Sequence, residues 1–192
     1  RFAPNIMIMA WDEFMGFPDE LPDLEETPEF LTTFIPWFLF NWIPMIDEDE
    51  DDAGDDAGDG PDLGKGLYPE QQLALCYLED NRERLNDFQQ QFITTTCNSP
   101  FSFYAVSDVT PGNALVLRDL FLEETYVVKE RSAAKPEIKG GILFSRVVTI
   151  EDTSIMFGAA PVLIGPEHRI NFIDLREEMK TEFGGLTKTV MI

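Results

Sequence analysis

Three groups of residues in this sequence carry side chains suited to chemistry. His168 is the only histidine and stands between Glu167 and Arg169; imidazole is the one side chain whose ordinary pKa suits proton transfer near neutrality. Asp119 follows Arg118 inside an apolar, strand-like run, where a charge must be paired or must face water. It reads either as a bridge to Arg131 or Arg146 or as a buried functional carboxylate. The third group is locally basic: Lys129, Arg131, Lys135, Lys139 and Arg146, against only Glu130 and Glu137. With Tyr126 and Phe144 close by in sequence, such a stretch can contact phosphates and stack a base.

Most catalytic constellations are missing. One histidine rules out a two-histidine metal site, and no serine lies in a GxSxG turn beside which His168 could act. Gly140-Gly141 and Gly184-Gly185 lack the spacing and the following Lys-Ser/Thr of a phosphate-binding loop. Cys76 and Cys97 are the only cysteines, which leaves no disulfide framework and no four-ligand zinc site, and fits a reducing compartment. A calcium loop counted from Asp47 fails, because its sixth and twelfth places hold Asp52 and Gly58 instead of glycine and glutamate. The sequence therefore predicts no catalytic residue, no metal ligand and no cofactor.

Charge narrows the partners. The chain has 36 acidic and 14 basic side chains, a formal charge of −22, which opposes attraction of the whole surface to nucleic acid or anionic lipid. Before residue 66 the only basic residues are Arg1 and Lys65. The tract 47–66, DEDEDDAGDDAGDGPDLGKG, has no apolar period and reads as a solvated insert. A charge mimic of nucleic acid is the sharper reading of it, and adaptation to high salt the blander one. The apolar stretch 30–46 is interrupted by Pro36, Asn41 and Pro44 and is too short for a membrane helix. No signal peptide is read at the start, although the chain opens on Arg1, which leaves room for a segment upstream. A cytoplasmic protein with no membrane partner is the expectation.

The elements that must position these residues fall into two regimes. Ile6, Met9, Ala10, Phe14 and Met15 predict a short helix over 5–16, and Thr27-Pro28-Glu29 opens a second that Pro36 should kink or break. Phe34, Trp37, Phe38, Phe40 and Trp42 are too many large aromatics to leave in water and read as helical core. A stripe of Leu73, Cys76, Tyr77, Leu85, Phe88 and Phe92 predicts one long helix over 69–94. Past Pro100 the period becomes strand-like, giving strands over 101–109, 114–119, 125–131, 141–151 and 154–163 with Pro111-Gly112-Asn113 among the turns. A last helix runs from about Ile170 to Gly184-Gly185. The predicted class is α+β: a helical region 1–98 with the insert 47–66, a small five-stranded antiparallel β-barrel of SH3-like or OB-like type over 99–167, and a C-terminal helix and tail over 168–192.

Several runs carry a family likeness: Ala10-Trp11-Asp12-Glu13-Phe14, the run 34–42 (FIPWFLFNW), Val116-Leu117-Arg118-Asp119-Leu120, the run 127–133 (VVKERSA) and the run 141–148 (GILFSRVV). Over most of residues 10–167 the chain resembles the body of uncharacterised bacterial proteins that carry a SEC-C motif, a short cysteine-rich zinc-binding segment. That motif is absent here, so the resemblance implies zinc only in a segment this sequence does not contain. It implies no activity. The functional expectation is a non-catalytic binding or adaptor module whose loop 129–141 meets a protein or nucleic acid. The alternatives are an enzyme with a site between helices and barrel, using Asp119 or His168, and an acidic decoy that binds a basic partner.

Overall fold

A computed structural model describes residues 6–16, 27–43 and 71–188. The acidic tract 47–66, and with it the decoy reading, lies outside the described residues.

The helical part contains α1 (Ile6–Met15), α2 (Leu31–Phe40), α3 (Leu73–Asn81) and α4 (Asp87–Cys97). Trp11, Phe34, Phe38 and Trp42 are buried in one aromatic cluster, with Trp11 edge-on to Phe34 at 4.9 Å. The Trp42 indole N–H donates to the Glu13 carboxylate at 2.8 Å, so its polar edge is satisfied. The aromatic run is core, as its composition predicts.

Two helical expectations need correction. Pro36 does not break α2, which continues through it to Phe40. The helix meets the sheet there: a Cβ added at Gly158, whose φ is +85°, would lie 3.1 Å from Pro36 and 3.0 Å from Phe101. Glycine serves both the close approach and the left-handed backbone. The single helix over 69–94 is two helices. Asn86 accepts from the Gln89 amide at 2.9 Å while the Gln89 side chain accepts from the Asn86 amide at 3.0 Å, a reciprocal cap that starts α4 afresh.

The strands are β1 (Phe101–Thr110), β2 (Ala114–Asp119), β3 (Thr125–Lys129), β4 (Ile142–Ile150) and β5 (Thr153–Ile164), close to their expected limits. They form a mixed sheet that closes on itself in the order β1-β2-β3-β5-β4. The all-antiparallel expectation is corrected at one seam, where β3 and β5 run parallel through Val128 and Ser154. A hairpin-by-hairpin reading sees only sequential neighbours; closure brings the third strand to the fifth. The chain is therefore α+β with a five-stranded mixed sheet.

Tyr104, Val106, Leu115, Leu117, Val128 and Val147 fill the inside of the closed sheet. The interior is not purely apolar, because Ser102 and Asp119 are buried at one end. Helices cover most of the outside. α2 lies on β5 and α4 on β4, and α5 (Arg169–Phe183) sets Phe172 against Phe103 at 4.4 Å before ending at Gly184, φ +70°. No described helix is long and apolar enough to cross a membrane.

Candidate functional site

Outward residues of β2 and β3 build one wall. Their register pairs Ala114 with Lys129, Val116 with Val127 and Arg118 with Thr125. Side chains alternate across a sheet, so the residues that intervene along the two strands, Leu115, Leu117 and Val128, point into the core. Val127 is 65% exposed, and Arg118, Thr125 and Lys129 are exposed beside it. Arg118 and Lys129 lie four strand steps apart across the pair, about 13 Å at the usual rise, with an apolar centre between them.

The loop 130–141 continues this wall. Its ends are fixed by backbone bonds, Glu130 N to Asn113 O at 3.0 Å and Gly140 N to Val106 O at 2.9 Å, and at its middle Gly112 N donates to Ala134 O at 2.9 Å. Ala134 is buried and Ile138 packs beside it against the interior of the sheet, so the loop caps one end of the ring. Arg131 and Lys135 are exposed on its outer side. Lys139 is also exposed but is bound to Asp108 at 2.7 Å.

Glu130 organises the turn beneath Arg131. One carboxylate oxygen accepts from Ser132 N at 2.7 Å, Ala133 N at 3.0 Å and Ser132 Oγ at 3.0 Å. These bonds, the Ala133 amide first, hold its pKa below the usual carboxylate range against the opposing effect of partial burial. A carboxyl depressed on folding stabilises above its unfolded pKa, and that contribution is lost as pH falls through the folded value. The Ser132 and Ala133 amides should therefore be protected from hydrogen exchange at neutral pH and lose that protection only as pH falls below the ordinary carboxylate range. Unchanged protection at lower pH would contradict the assignment.

The remaining basic-stretch candidates are elsewhere. Arg146 is fully buried, with its guanidinium carbon 4.5 Å from the Phe101 ring centroid and 5.8 Å from that of Phe40. It belongs to the interface between helices and sheet. Tyr126 points inward, edge-on to Tyr104 at 6.1 Å, and its hydroxyl donates to the Glu124 carboxylate; burial first, then Glu124, raises its pKa. Phe144 stacks on Phe101 at 5.3 Å. No aromatic side chain lies on the β2–β3 wall among the described residues, so the expected stacking by Tyr126 and Phe144 is corrected.

Asp119 is not bridged to Arg131 or Arg146. One of its oxygens accepts from Ser102 Oγ at 2.7 Å, Phe121 N at 2.8 Å and Leu122 N at 2.9 Å, which makes it the anchor of its own turn. His168 is exposed, its Nε2 3.8 Å from Glu167. Asp119, Arg131 and His168 therefore do not converge. Burial pushes the Cys97 thiol up to about 11, which suits packing rather than reactivity. No group of His, Cys, Asp and Glu suited to a metal ion occurs among the described residues.

The model of a family of unknown function, DUF7986, matches residues 69–184, more than half the chain. The chain belongs to that family. No curated protein and no solved structure matches it, and nothing found links it to SEC-C proteins. The DUF7986 match spans α3, α4, the closed sheet and α5. It thus includes every residue of the β2–β3 wall and the capping loop, together with the buried Asp119 and Arg146.

Sequence reasoning missed the wall itself. Arg118, Val116 and Val127 are its middle and far end, and the two-residue alternation of β2 and β3 was the signal that contained them.

Proposed function

We propose that the chain is a non-catalytic binding module for a single-stranded nucleic acid, held by its phosphates across the β2–β3 wall and the loop 130–141. The sheet is best described as a small barrel of OB-like type: the order β1-β2-β3-β5-β4 and the parallel β3–β5 seam are those of that barrel, whose second and third strands commonly bind extended ligands. The observation that carries the reading is the wall itself, an exposed sheet face with Val127 at its centre and Arg118, Lys129, Arg131 and Lys135 along it. Without stacking aromatics, binding rests on charge, so it is weak, independent of sequence and sensitive to salt.

Fluorescence anisotropy of a labelled oligonucleotide tests it. Binding is expected at low salt, with a log–log salt slope of about −2 to −3 for three or four phosphate contacts. The triple variant Lys129→Glu, Arg131→Glu, Lys135→Glu should abolish it. Failure to bind at low salt, or equal binding by the triple variant, would sink the proposal.

A further inference from the structure

A second surface lies between α4 and the β4–β5 hairpin. Phe88, Phe92, Val148, Ile150, Glu151, Thr153 and Ile155 line a groove of about 460 Å3 there. Its floor is firm: Val148 is buried, and Phe92 meets Phe157 edge-on at 5.3 Å. Its lip is open, with Phe88 62% exposed at the start of α4. Such an aromatic is the kind of anchor that dominates a docking site when another molecule covers it.

Charge says what covers it. Among the described residues Glu151 is the only charged one lining the groove; Asp152 follows it, and Asp87 precedes Phe88 on the opposite edge. We propose that this groove docks a basic amphipathic segment of another protein, its aliphatic side chains between Phe88 and Ile155 and a Lys or Arg against Glu151. A second copy of this chain would bring the same acidic edge and another net charge of −22. Residues 2–64 contain no Lys or Arg, so the chain's own N-terminal part offers no complementary segment.

Glu151 adds an independent point. It has φ +53° in the two-residue turn that joins Ile150 to Thr153, a backbone region that glycine occupies at lower cost. Glycine there would keep the turn and remove the carboxylate from the lip of the groove, so the two contributions of Glu151 can be separated.

The probe is a synthetic helical peptide with leucines at i, i+3, i+4 and i+7 and lysines elsewhere, titrated by anisotropy into the full chain. A scrambled peptide of equal composition reports charge attraction alone, and a glutamate analogue tests the sign. Tighter binding of the patterned peptide, weakened about tenfold by Phe88→Ala, is expected. Glu151→Gly should weaken binding while raising the melting temperature, two opposite changes that a purely structural role would not produce. Lys129→Glu with Arg131→Glu should leave peptide binding unchanged, which separates this surface from the β2–β3 wall. Equal affinity for the scrambled or glutamate peptide, or no effect of Phe88→Ala, would overturn the proposal.

Discussion

Asp119→Ala is expected to lower the unfolding free energy by about 3 kcal/mol or more, since hydrogen bonds to a charged acceptor are worth about 1.5–3 kcal/mol each and buried donors left alone cost more. Asp119 is 1% exposed. One oxygen takes the Ser102 hydroxyl and the Phe121 and Leu122 amides, all within 2.9 Å. Deleting it orphans all three donors. The damage should spread, because the turn it anchors leads to Glu123, which sits at φ +61° and pairs with Arg176 at 2.9 Å and Lys180 at 3.3 Å on α5. Arg176 also donates to Leu120 O at 3.2 Å. Ser102→Ala removes one donor and should cost about 1 kcal/mol, and Asp119→Asn, which keeps an acceptor, should fall between. Urea denaturation of the three variants gives the order. If Asp119→Ala lost no more than Ser102→Ala, the carboxylate would not be the anchor.

The same residue shows what a sequence makes legible. A charge in a run such as Val116-Leu117-Arg118-Asp119-Leu120 stands out, and its need for partners follows from desolvation. The identity of the partners does not follow. Distant arginines suggest themselves as counter-charges, but the backbone amides two and three residues on are nearer and already unpaired by the turn. Strand limits were readable because Pro111-Gly112-Asn113 and its like punctuate alternating runs. The parallel seam between β3 and β5 was not, since it exists only once the ring closes.

Charge counted along the chain also misleads where alternation decides. Lys129 and Val127 face out, so Val128 between them and Tyr126 before them face in. Arg131 and Lys135 remain exposed because the loop beneath them is pinned through Ala134. In the helical part a continuous apolar stripe from Leu73 to Phe92 concealed a break, because both helices turn apolar residues to the same core. The Asn86–Gln89 capping pair was the local sign of it. That no described element covers the β2–β3 wall could not be read at all. It depends on α2, α4 and α5 docking on the other strands, a matter of tertiary packing.

Arg146→Met should stabilise the protein by about 2 kcal/mol, the opposite of the usual result for a fully buried residue. Arg146 pairs with Phe101 in the β1–β4 register and lies among the aromatics between helices and sheet. Its Nε, Nη1 and Nη2 have no hydrogen-bond acceptor among the described residues. Burial lowers its pKa to about 10, so the guanidinium is still charged at neutral pH and folding must strip its water. A desolvated cation–π contact returns about 2 kcal/mol, less than the several that dehydrating the charge costs. Methionine reaches the same slot, and its sulfur suits aromatic neighbours. The pH dependence supplies a second reading. A base whose pKa falls on folding binds fewer protons in the native state, so stability rises with pH above about 10, where the folded protein sheds the charge first. The penalty is complete below that value. The stability difference between Arg146→Met and the parent should therefore be constant near neutrality and shrink above pH 10. Destabilisation by the substitution would mean that an acceptor satisfies the guanidinium, and the cation would then hold helices and sheet together rather than strain them apart.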